Sequence, residues 1–158
     1  MTKHTFCKGA INQIRVAVFS IVAIMDTLEE EDLSLRPSED KRSLGELLEH
    51  IALICKADYL IANGSTQEEM NQYYHSQVFQ GLESIKEALL NNFKYLADQY
   101  EQLTESELLQ EGTSYWGVTY TKFEWLIEMA AHLYHHRGQL HAMLVHCFDN
   151  DPQVSLFE

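Results

Sequence analysis

The stretch Ala131-His-Leu-Tyr-His-His-Arg-Gly-Gln-Leu-His141 holds four of the eight histidines in the chain. His132 and His136 are four residues apart, so on a helix they lie one above the other on the same face. Two imidazoles at that spacing can chelate one divalent metal ion, and the stretch therefore predicts a helix that carries part of a metal site. The alternative is a helix with two ordinary histidines, one solvated and one hydrogen-bonded in the core.

The other histidines near this stretch point elsewhere. At about 100° per residue, His135 lies roughly 100° around the helix from His136, and His141 lies about 140° from it. We expect both on the surface or beside the site. His146 returns to the direction of His132 but lies too far along the helix axis to share a metal with it.

A third candidate ligand, His50, lies at the edge of another apolar helical face, three residues after Leu47 and four before Ile54. Three neutral imidazoles from two facing helices would form one side of a coordination sphere. The remaining positions would stay open to water or substrate, as in catalytic sites. Histidine ligands suit Zn, Ni, Cu or Fe. The sequence therefore predicts a divalent metal, with Zn or Ni preferred and Mn or Fe as alternatives, held by His50, His132 and His136.

Two carboxylates repeat the four-residue spacing. Glu128 precedes His132 by four residues, and Glu46 precedes His50 by four. Either could orient a ligand imidazole or act as a base. The alternative for both is a solvated helix carboxylate, and Glu46 also fits a capping box with Ser43, which we favour for it. For Glu128 both interpretations stay open.

Four long segments surround these residues. Apolar side chains recur at three- and four-residue steps and predict helices over about 5–29, 43–62, 77–103 and 121–147. The chain has only 7 Gly and 2 Pro in 158 residues, which also favours helices over a turn-rich β fold. We predict an all-α four-helix bundle that forms a single domain over residues 1–158, with a C-terminal tail from about residue 149.

An aromatic segment precedes the last helix. Tyr115, Trp116 and Tyr120 fall within a segment that also contains Gly112 and Gly117. A loop of this composition is expected to cover a pocket, with the three aromatic side chains lining it. A loop merely pinned to the bundle by Trp116 is the alternative.

The net charge and the cysteine content limit the binding partners and the cellular location that we expect. A formal charge of -13 disfavours binding to nucleic acid or to an anionic membrane. The longest apolar run, Val16 to Met25, is too short to span a bilayer. The three cysteines form no CxxC pair, and the N-terminus has no signal-peptide pattern, so we expect a reducing cytoplasm.

Two motifs carry a family resemblance. Two stretches of the chain resemble the DinB/YfiT-like family. They are Ser-Leu-Gly-Glu-Leu-Leu-Glu-His-Ile-Ala over residues 43–52 and His-Leu-Tyr-His-His-Arg-Gly-Gln-Leu over residues 132–140. Leu35-Arg-Pro37 and the tryptophan-containing segment also fit its pattern. The resemblance implies an up-up-down-down bundle, a homodimer and a divalent metal on His50, His132 and His136. Glu128 departs from the family, which often has histidine or a neutral polar residue there.

The resemblance also implies an activity, because the wider superfamily includes S-transferases and isomerases that use thiols such as bacillithiol or mycothiol. Our first hypothesis is a metal-dependent enzyme that transfers a low-molecular-weight thiol to an electrophilic small molecule, with Glu128 or a bound water as the base. A metal-dependent hydrolase is a variant. Two further hypotheses are a non-enzymatic, stress-related metal-binding protein and a bundle without metal. The sequence leaves open whether the chain is catalytic.

Overall fold

The computed structural model describes residues 3–158, with side chains from residue 5 onward. Its elements are α1 (Lys3–Met25), α2 (Leu44–Ala62), α3 (Gln67–Ser76), α4 (Leu82–Gln102), α5 (Glu105–Leu108), β1 (Glu111–Thr113), β2 (Thr119–Thr121) and α6 (Lys122–Ala142). A 3-10 helix, Glu30–Ser34, follows α1, and a π-helical turn, Met143–Cys147, extends α6. The predicted all-α bundle is confirmed, and its four long helices are α1, α2, α4 and α6.

Apolar side chains from all four long helices meet in one core. α1 and α2 each pack against both α4 and α6. Each fully buried Leu or Ile contributes roughly 1.5–3 kcal/mol through removal from water, so this core is the main source of the bundle's stability. Its members include Ile14, Ile21, Leu47, Ile51, Leu89, Leu96, Leu126 and Leu133.

Hydrogen bonds between helices show in which direction each helix runs relative to its neighbour. Asn92 Nδ2 donates to the Ala52 carbonyl oxygen and Tyr59 Oη donates to Gln99 Oε1, so α2 and α4 run parallel. The hydrogen bonds that pair His50 with His136 and Asp58 with His132 make α2 and α6 antiparallel.

The direction of α1 follows from an ion pair at one end of the bundle. Lys86, near the start of α4, pairs with Asp26, just after α1, so these two helices are antiparallel. The order of directions is therefore up, down, down, up, which corrects the up-up-down-down order implied by the family resemblance. The physical reason is the connection between α1 and α2. It stays at one end of the bundle, where Leu33 contacts Gly45 and the Glu30 carboxylate accepts from the Leu82 N–H.

Polar side chains cap the starts of α2 and α3, and the start of α4 differs from the predicted position. The Ser43–Glu46 capping box is present as predicted. Thr66 caps α3, and its side chain accepts from the Glu69 backbone N–H. The helix predicted from about residue 77 begins at Leu82, because Gly81 has φ = 121° and interrupts the helical path.

The aromatic segment before α6 is a β-hairpin rather than an irregular loop. β1 pairs with β2 in antiparallel register, with Gly112 opposite Tyr120. A Cβ on Gly112 would lie 1.9 Å from the carbonyl oxygen of Ala62, so only glycine lets β1 approach the end of α2 this closely. Trp125 Nε1 donates to the Gly112 carbonyl oxygen at 2.9 Å and ties the hairpin to α6.

Arg137 holds the C-terminal tail. Its guanidinium donates to Ser20 Oγ at 3.0 Å and to the Leu156 carbonyl oxygen, and it lies over the rings of Tyr134 and Phe157. Arg137 is only 4% exposed, and its partners are a hydroxyl, a carbonyl and two rings.

α1 is apolar enough to need a structural explanation. By length and composition, the stretch Thr5–Met25 could cross a membrane, but 44% of its most apolar part is buried inside the protein. Ile14, Ile21 and Met25 are fully buried within the bundle. Helices that pack in a protein core can have the same composition, so the stretch by itself is weak evidence for a membrane span.

Candidate metal centre

The three predicted histidines come together between α2 and α6. Each of His50, His132 and His136 offers a ring nitrogen, and these three atoms lie within 4.8 Å of one another. The Nε2 atoms of His50 and His136 are 3.1 Å apart. The antiparallel packing of α2 and α6 creates this meeting point, because it places His50, in the first half of α2, opposite His136, in the second half of α6.

The spacing of these nitrogens fits a divalent metal. Two imidazole nitrogens bound to one tetrahedral ion at about 2.0–2.1 Å lie roughly 3.3 Å apart. The observed 3.1 Å between His50 and His136 is close to that value. The donor set is all imidazole nitrogen, which suits Zn, Ni, Cu or Fe. The residues present therefore fit the metal that the sequence predicts, although they do not choose among these ions.

The environment of two of the imidazoles favours their neutral, metal-binding form. Burial, together with the nearby positive charge of Arg42 and the two other imidazoles, lowers the pKa of His50 to about 4. Burial also lowers the pKa of His136. For His132 the hydrogen bond to Asp58 has the larger effect and raises the pKa. The site therefore combines two imidazoles that resist protonation with one that interacts directly with a carboxylate.

The carboxylate beside His132 is Asp58, which the sequence analysis missed. Asp58 Oδ2 accepts a hydrogen bond from His132 Nδ1 at 2.7 Å, and the Asp58 side chain is 12% exposed. A signal was present in the sequence, because Asp58 follows His50 by eight residues. Eight residues are about two turns along α2 but place Asp58 roughly 80° around the helix from His50, so this signal was weak. On α6, Gln139 Oε1 similarly accepts from His136 Nδ1 at 2.9 Å.

Glu128 lies near the site without a hydrogen bond to His132 among the contacts described here. Asp58, Glu128 and His132 form a second group whose ligand atoms lie within 4.8 Å of one another. Burial and the charge of Asp58 both raise the pKa of Glu128. A carboxylate in this environment is a stronger proton acceptor than a solvated one, and the role of Glu128 as a base stays a prediction.

Glu46 belongs to the start of α2 and not to the site. Its side chain accepts from the Ser43 backbone N–H, as in a capping box. It also accepts two hydrogen bonds from Arg36, at 2.8 Å each. The capping interpretation favoured from the sequence is thus what the structure shows.

The three aromatic residues of the hairpin occupy different positions. Trp116 lines a concavity together with Asp58, Trp125, Glu128 and His132. Tyr115 packs edge-to-face against Trp116 and is 45% exposed.

Tyr120 packs against the ring of Trp125 and is partly buried against the core. Tyr74 on α3, which the sequence analysis did not select, lines a second concavity with His50, Asp58 and His132. The two concavities share Asp58 and His132, so both open beside the histidine cluster.

Gly138 lies inside α6, where glycine is less favourable than alanine. A Cβ built on Gly138 would meet nothing within 4 Å, so packing does not require glycine at this position. Nothing in the structure explains this glycine.

Comparisons with known proteins agree with the geometry. Residues 20–140 match the model of the DinB superfamily. The chain is similar to a proposed DinB-family member from Exiguobacterium sibiricum 255-15, with 32% identity and a TM-score of 0.84 over 96% of this chain and 97% of that one. It also shares its fold with a DinB-like protein, YjoA, from Bacillus subtilis, at 19% identity and a TM-score of 0.60 over 86% of each chain.

No curated protein matches the chain significantly in sequence. The family match covers well over half of the chain, and a solved structure supports it at 32% identity over nearly the full length. The chain belongs to the DinB superfamily. The predicted family resemblance is confirmed, and with it a histidine group that could hold a metal ion.

Proposed function

We propose that this protein is a metal-dependent enzyme that transfers a low-molecular-weight thiol, of the bacillithiol type, to an electrophilic small molecule. The observation that carries the proposal is the convergence of His50, His132 and His136 beside two concavities. Three ligands from two helices occupy one side of a coordination sphere, so a substrate has room on the other side.

The residues around the cluster have separable roles in this proposal. His50, His132 and His136 would hold a divalent metal, with Zn or Ni preferred. When bound, such a metal lowers the pKa of a thiol and stabilises the thiolate. Glu128 would accept the proton from the thiol S–H, and Trp116 would shield the reacting groups from water. The thiolate sulfur then forms a bond to the electrophilic carbon, and the leaving group departs with its electron pair.

The environment of Cys55 supports an external source for the thiol. Cys55 lies on α2 one turn before Asp58, but it is fully buried. Burial and the charge of Asp58 raise its pKa far above the usual range, so its thiol stays protonated. A protonated, buried thiol is a poor nucleophile, and we therefore assign the attacking sulfur to a cosubstrate.

A metal-dependent hydrolase is the second candidate, with water in place of the thiol. The half-buried Glu128 favours it, since a carboxylate with a raised pKa can accept a proton from water as well as from a thiol. The two candidates differ in one measurable requirement. Turnover without any thiol supports the hydrolase, and turnover that depends on the thiol supports the transferase.

The location and partners proposed here follow from the charge and the exposed surface. We propose a cytoplasmic protein that binds neither nucleic acid nor membrane, given its formal charge of -13. A homodimer is proposed with α1 at its interface, because Phe6 and Phe19 on that helix are exposed. Light scattering at several protein concentrations tests the dimer, and a concentration-independent monomer mass overturns it.

The activity is tested with protein purified without a histidine tag. Elemental analysis first identifies the bound metal. Turnover of a panel of alkyl halides, epoxides and activated alkenes is then measured with bacillithiol, before and after chelation. We expect thiol-dependent turnover that chelation abolishes and metal restores, and that His50→Ala and His136→Ala lack.

The outcomes separate the candidates. No turnover by fully loaded protein over the whole panel contradicts the enzyme proposal and favours a metal that only links α2 to α6. A wild-type protein that retains no metal contradicts the metal centre itself. His75→Ala is the matched control, because His75 is exposed on α3 and bonded only to the Asn71 carbonyl oxygen among the contacts described.

A further inference from the structure

Both α6 histidines of the cluster have a hydrogen-bond acceptor at the ring nitrogen that faces away from the centre. Asp58 Oδ2 lies 2.7 Å from His132 Nδ1, and Gln139 Oε1 lies 2.9 Å from His136 Nδ1. Asp58 reaches His132 across the interface from α2. Gln139 reaches His136 from one turn further along α6.

These contacts select one form of each ring. A neutral imidazole has one N–H donor and one lone pair, and a carboxylate or amide oxygen at Nδ1 can only accept a hydrogen bond. The proton is thereby held on Nδ1 of His132 and of His136. The lone pair is left on Nε2, the atom through which His136 faces His50 at 3.1 Å. Both rings are thus prepared to bind a metal through Nε2 before any metal arrives.

We infer that Asp58 and Gln139 are positioning residues that set the metal affinity of the site. The inference rests on the metal centre of the proposed function, but not on any particular reaction. Asp58 has the larger role, because its carboxylate is charged and raises the basicity of the ligand ring. Its side chain is also only 12% exposed, so water competes weakly for its hydrogen bond. Gln139 supplies a neutral acceptor on an exposed part of α6.

Glu128 provides an internal comparison. It contributes a carboxylate near His132, as Asp58 does. Asp58 has a hydrogen bond to the ring, whereas none is described between Glu128 and the ring. If proximity of negative charge alone sets the affinity, the two residues are equivalent. If the hydrogen bond sets it, Asp58 has the greater effect.

The first test measures the dissociation constant of Zn²⁺ by competition with a chromophoric chelator. Loss of an outer hydrogen-bond partner typically weakens metal binding about 10–100-fold, and we expect a loss in that range for Asp58→Ala. Asp58→Asn should fall between Asp58→Ala and the wild type, because its amide oxygen still accepts but is uncharged. The control Glu128→Gln should lose clearly less Zn²⁺ affinity than Asp58→Ala.

Gln139 allows the inference to be tested by a gain as well as by a loss of Zn²⁺ affinity. Gln139→Ala should weaken Zn²⁺ binding. Gln139→Glu should bind at least as tightly as the wild type, since it places a carboxylate at the same ring nitrogen. The residue is exposed, so neither change removes a core side chain.

A second measurement separates positioning from folding. Nitrogen-15 NMR of the metal-free protein at alkaline pH reports which ring nitrogen carries the proton. We expect His132 and His136 to be protonated on Nδ1 in the wild type. Asp58→Ala should remove this preference for His132 alone, and Gln139→Ala for His136 alone. A variant that is simply unfolded would instead shift all eight histidines in the chain.

Each outcome has a distinct meaning. Equal Zn²⁺ affinities for the wild type, Asp58→Ala and Gln139→Ala overturn the inference, and so does a wild type protonated on Nε2 of both rings. A wild-type protein that binds no Zn²⁺ overturns the metal centre, and the inference with it. Loss of turnover with unchanged metal affinity and unchanged ring protonation overturns the positioning role alone.

Discussion

Asp58 Oδ2 accepts a hydrogen bond from His132 Nδ1 at 2.7 Å, across the interface between α2 and α6. The contact lies on the same pair of helices as the 3.1 Å contact between His50 and His136. The candidate metal site and the packing of two bundle helices therefore depend on the same side chains. Changes at the site are consequently expected to alter stability as well as metal binding.

Metal binding should stabilise the wild-type protein. A ligand that binds only the folded state at 100 times its dissociation constant contributes about 2.7 kcal/mol. We expect Zn²⁺ to raise the melting temperature of the wild type. It should have little effect on the melting temperature of His50→Ala, because only two of the three imidazoles remain to bind the metal. Thermal unfolding with and without chelator measures the shift, and His75→Ala is expected to match the wild type. An equal shift in His50→Ala contradicts the three-histidine site.

Gly112→Ala should displace the hairpin. The new Cβ would lie 1.9 Å from the Ala62 carbonyl oxygen, which is too close for any real contact. Overpacking of this kind typically costs about 1–3 kcal/mol. Urea unfolding measures the loss of stability. Tryptophan fluorescence of the native protein reports the altered surroundings of Trp116 and Trp125.

Gly138→Ala is the matched control for that substitution. A Cβ at Gly138 meets nothing within 4 Å, and the residue lies inside α6. Alanine is favoured over glycine in a helix by about 1 kcal/mol, so this variant should be more stable than the wild type. A destabilised Gly138→Ala would show that the glycine has a role that packing does not reveal.

Arg137→Met should release the C-terminal tail. The substitution keeps much of the side-chain volume but removes the hydrogen bonds to Ser20 and the Leu156 carbonyl oxygen. Hydrogen bonds of charged groups contribute about 1.5–3 kcal/mol, and we expect a loss of that order. Limited proteolysis should cleave the tail faster in this variant. Arg15→Met should behave like the wild type, because Arg15 is exposed and bonds to Asn12.

The stability supplied by Glu46 should depend on pH. The hydrogen bonds from Arg36 and from the Ser43 backbone hold the pKa of Glu46 below its ordinary value of 4.5. The folded state therefore binds this proton less readily than the unfolded state. The stabilisation is fully present above the unfolded pKa and is lost as the pH falls through the lowered folded pKa.

Glu46→Gln tests this sign directly. The variant should be less stable than the wild type at neutral pH, and the difference should shrink as the pH falls below about 4. Urea unfolding at a series of pH values measures it. Arg36→Gln should reduce the same pH dependence, and the two substitutions together should be less than additive. A difference that grows toward acid pH contradicts the assignment.

Much of the fold was predictable because it depends on local patterns. The apolar spacing predicts the four long helices, and Ser43 with Glu46 marks the start of α2. The pairing of His132 with His136 follows from helix geometry alone. The boundaries were less predictable, since Gly81 adopts φ = 121° and delays the start of α4 to Leu82.

The hairpin and its neighbours were not predictable from such patterns. β1 and β2 are three residues each, too short to show a strand period. The need for glycine at position 112 arises from the carbonyl of Ala62, fifty residues earlier in the chain. Tyr74 reaches the site because α3 packs back along α2, and no spacing within the sequence reports that contact.

Residue types and their local spacing were enough to define the helical class and the family. They also selected the three histidines, because spacing along one helix places His132 and His136 on a shared face and places His50 at the edge of the apolar face of α2. The helix directions, the partnership of Asp58 with His132 and the concavities beside the histidines arise only in the folded chain. The physical reason is that a hydrogen bond between residues 74 positions apart depends on the crossing of two helices, and that crossing is set by packing of the whole core.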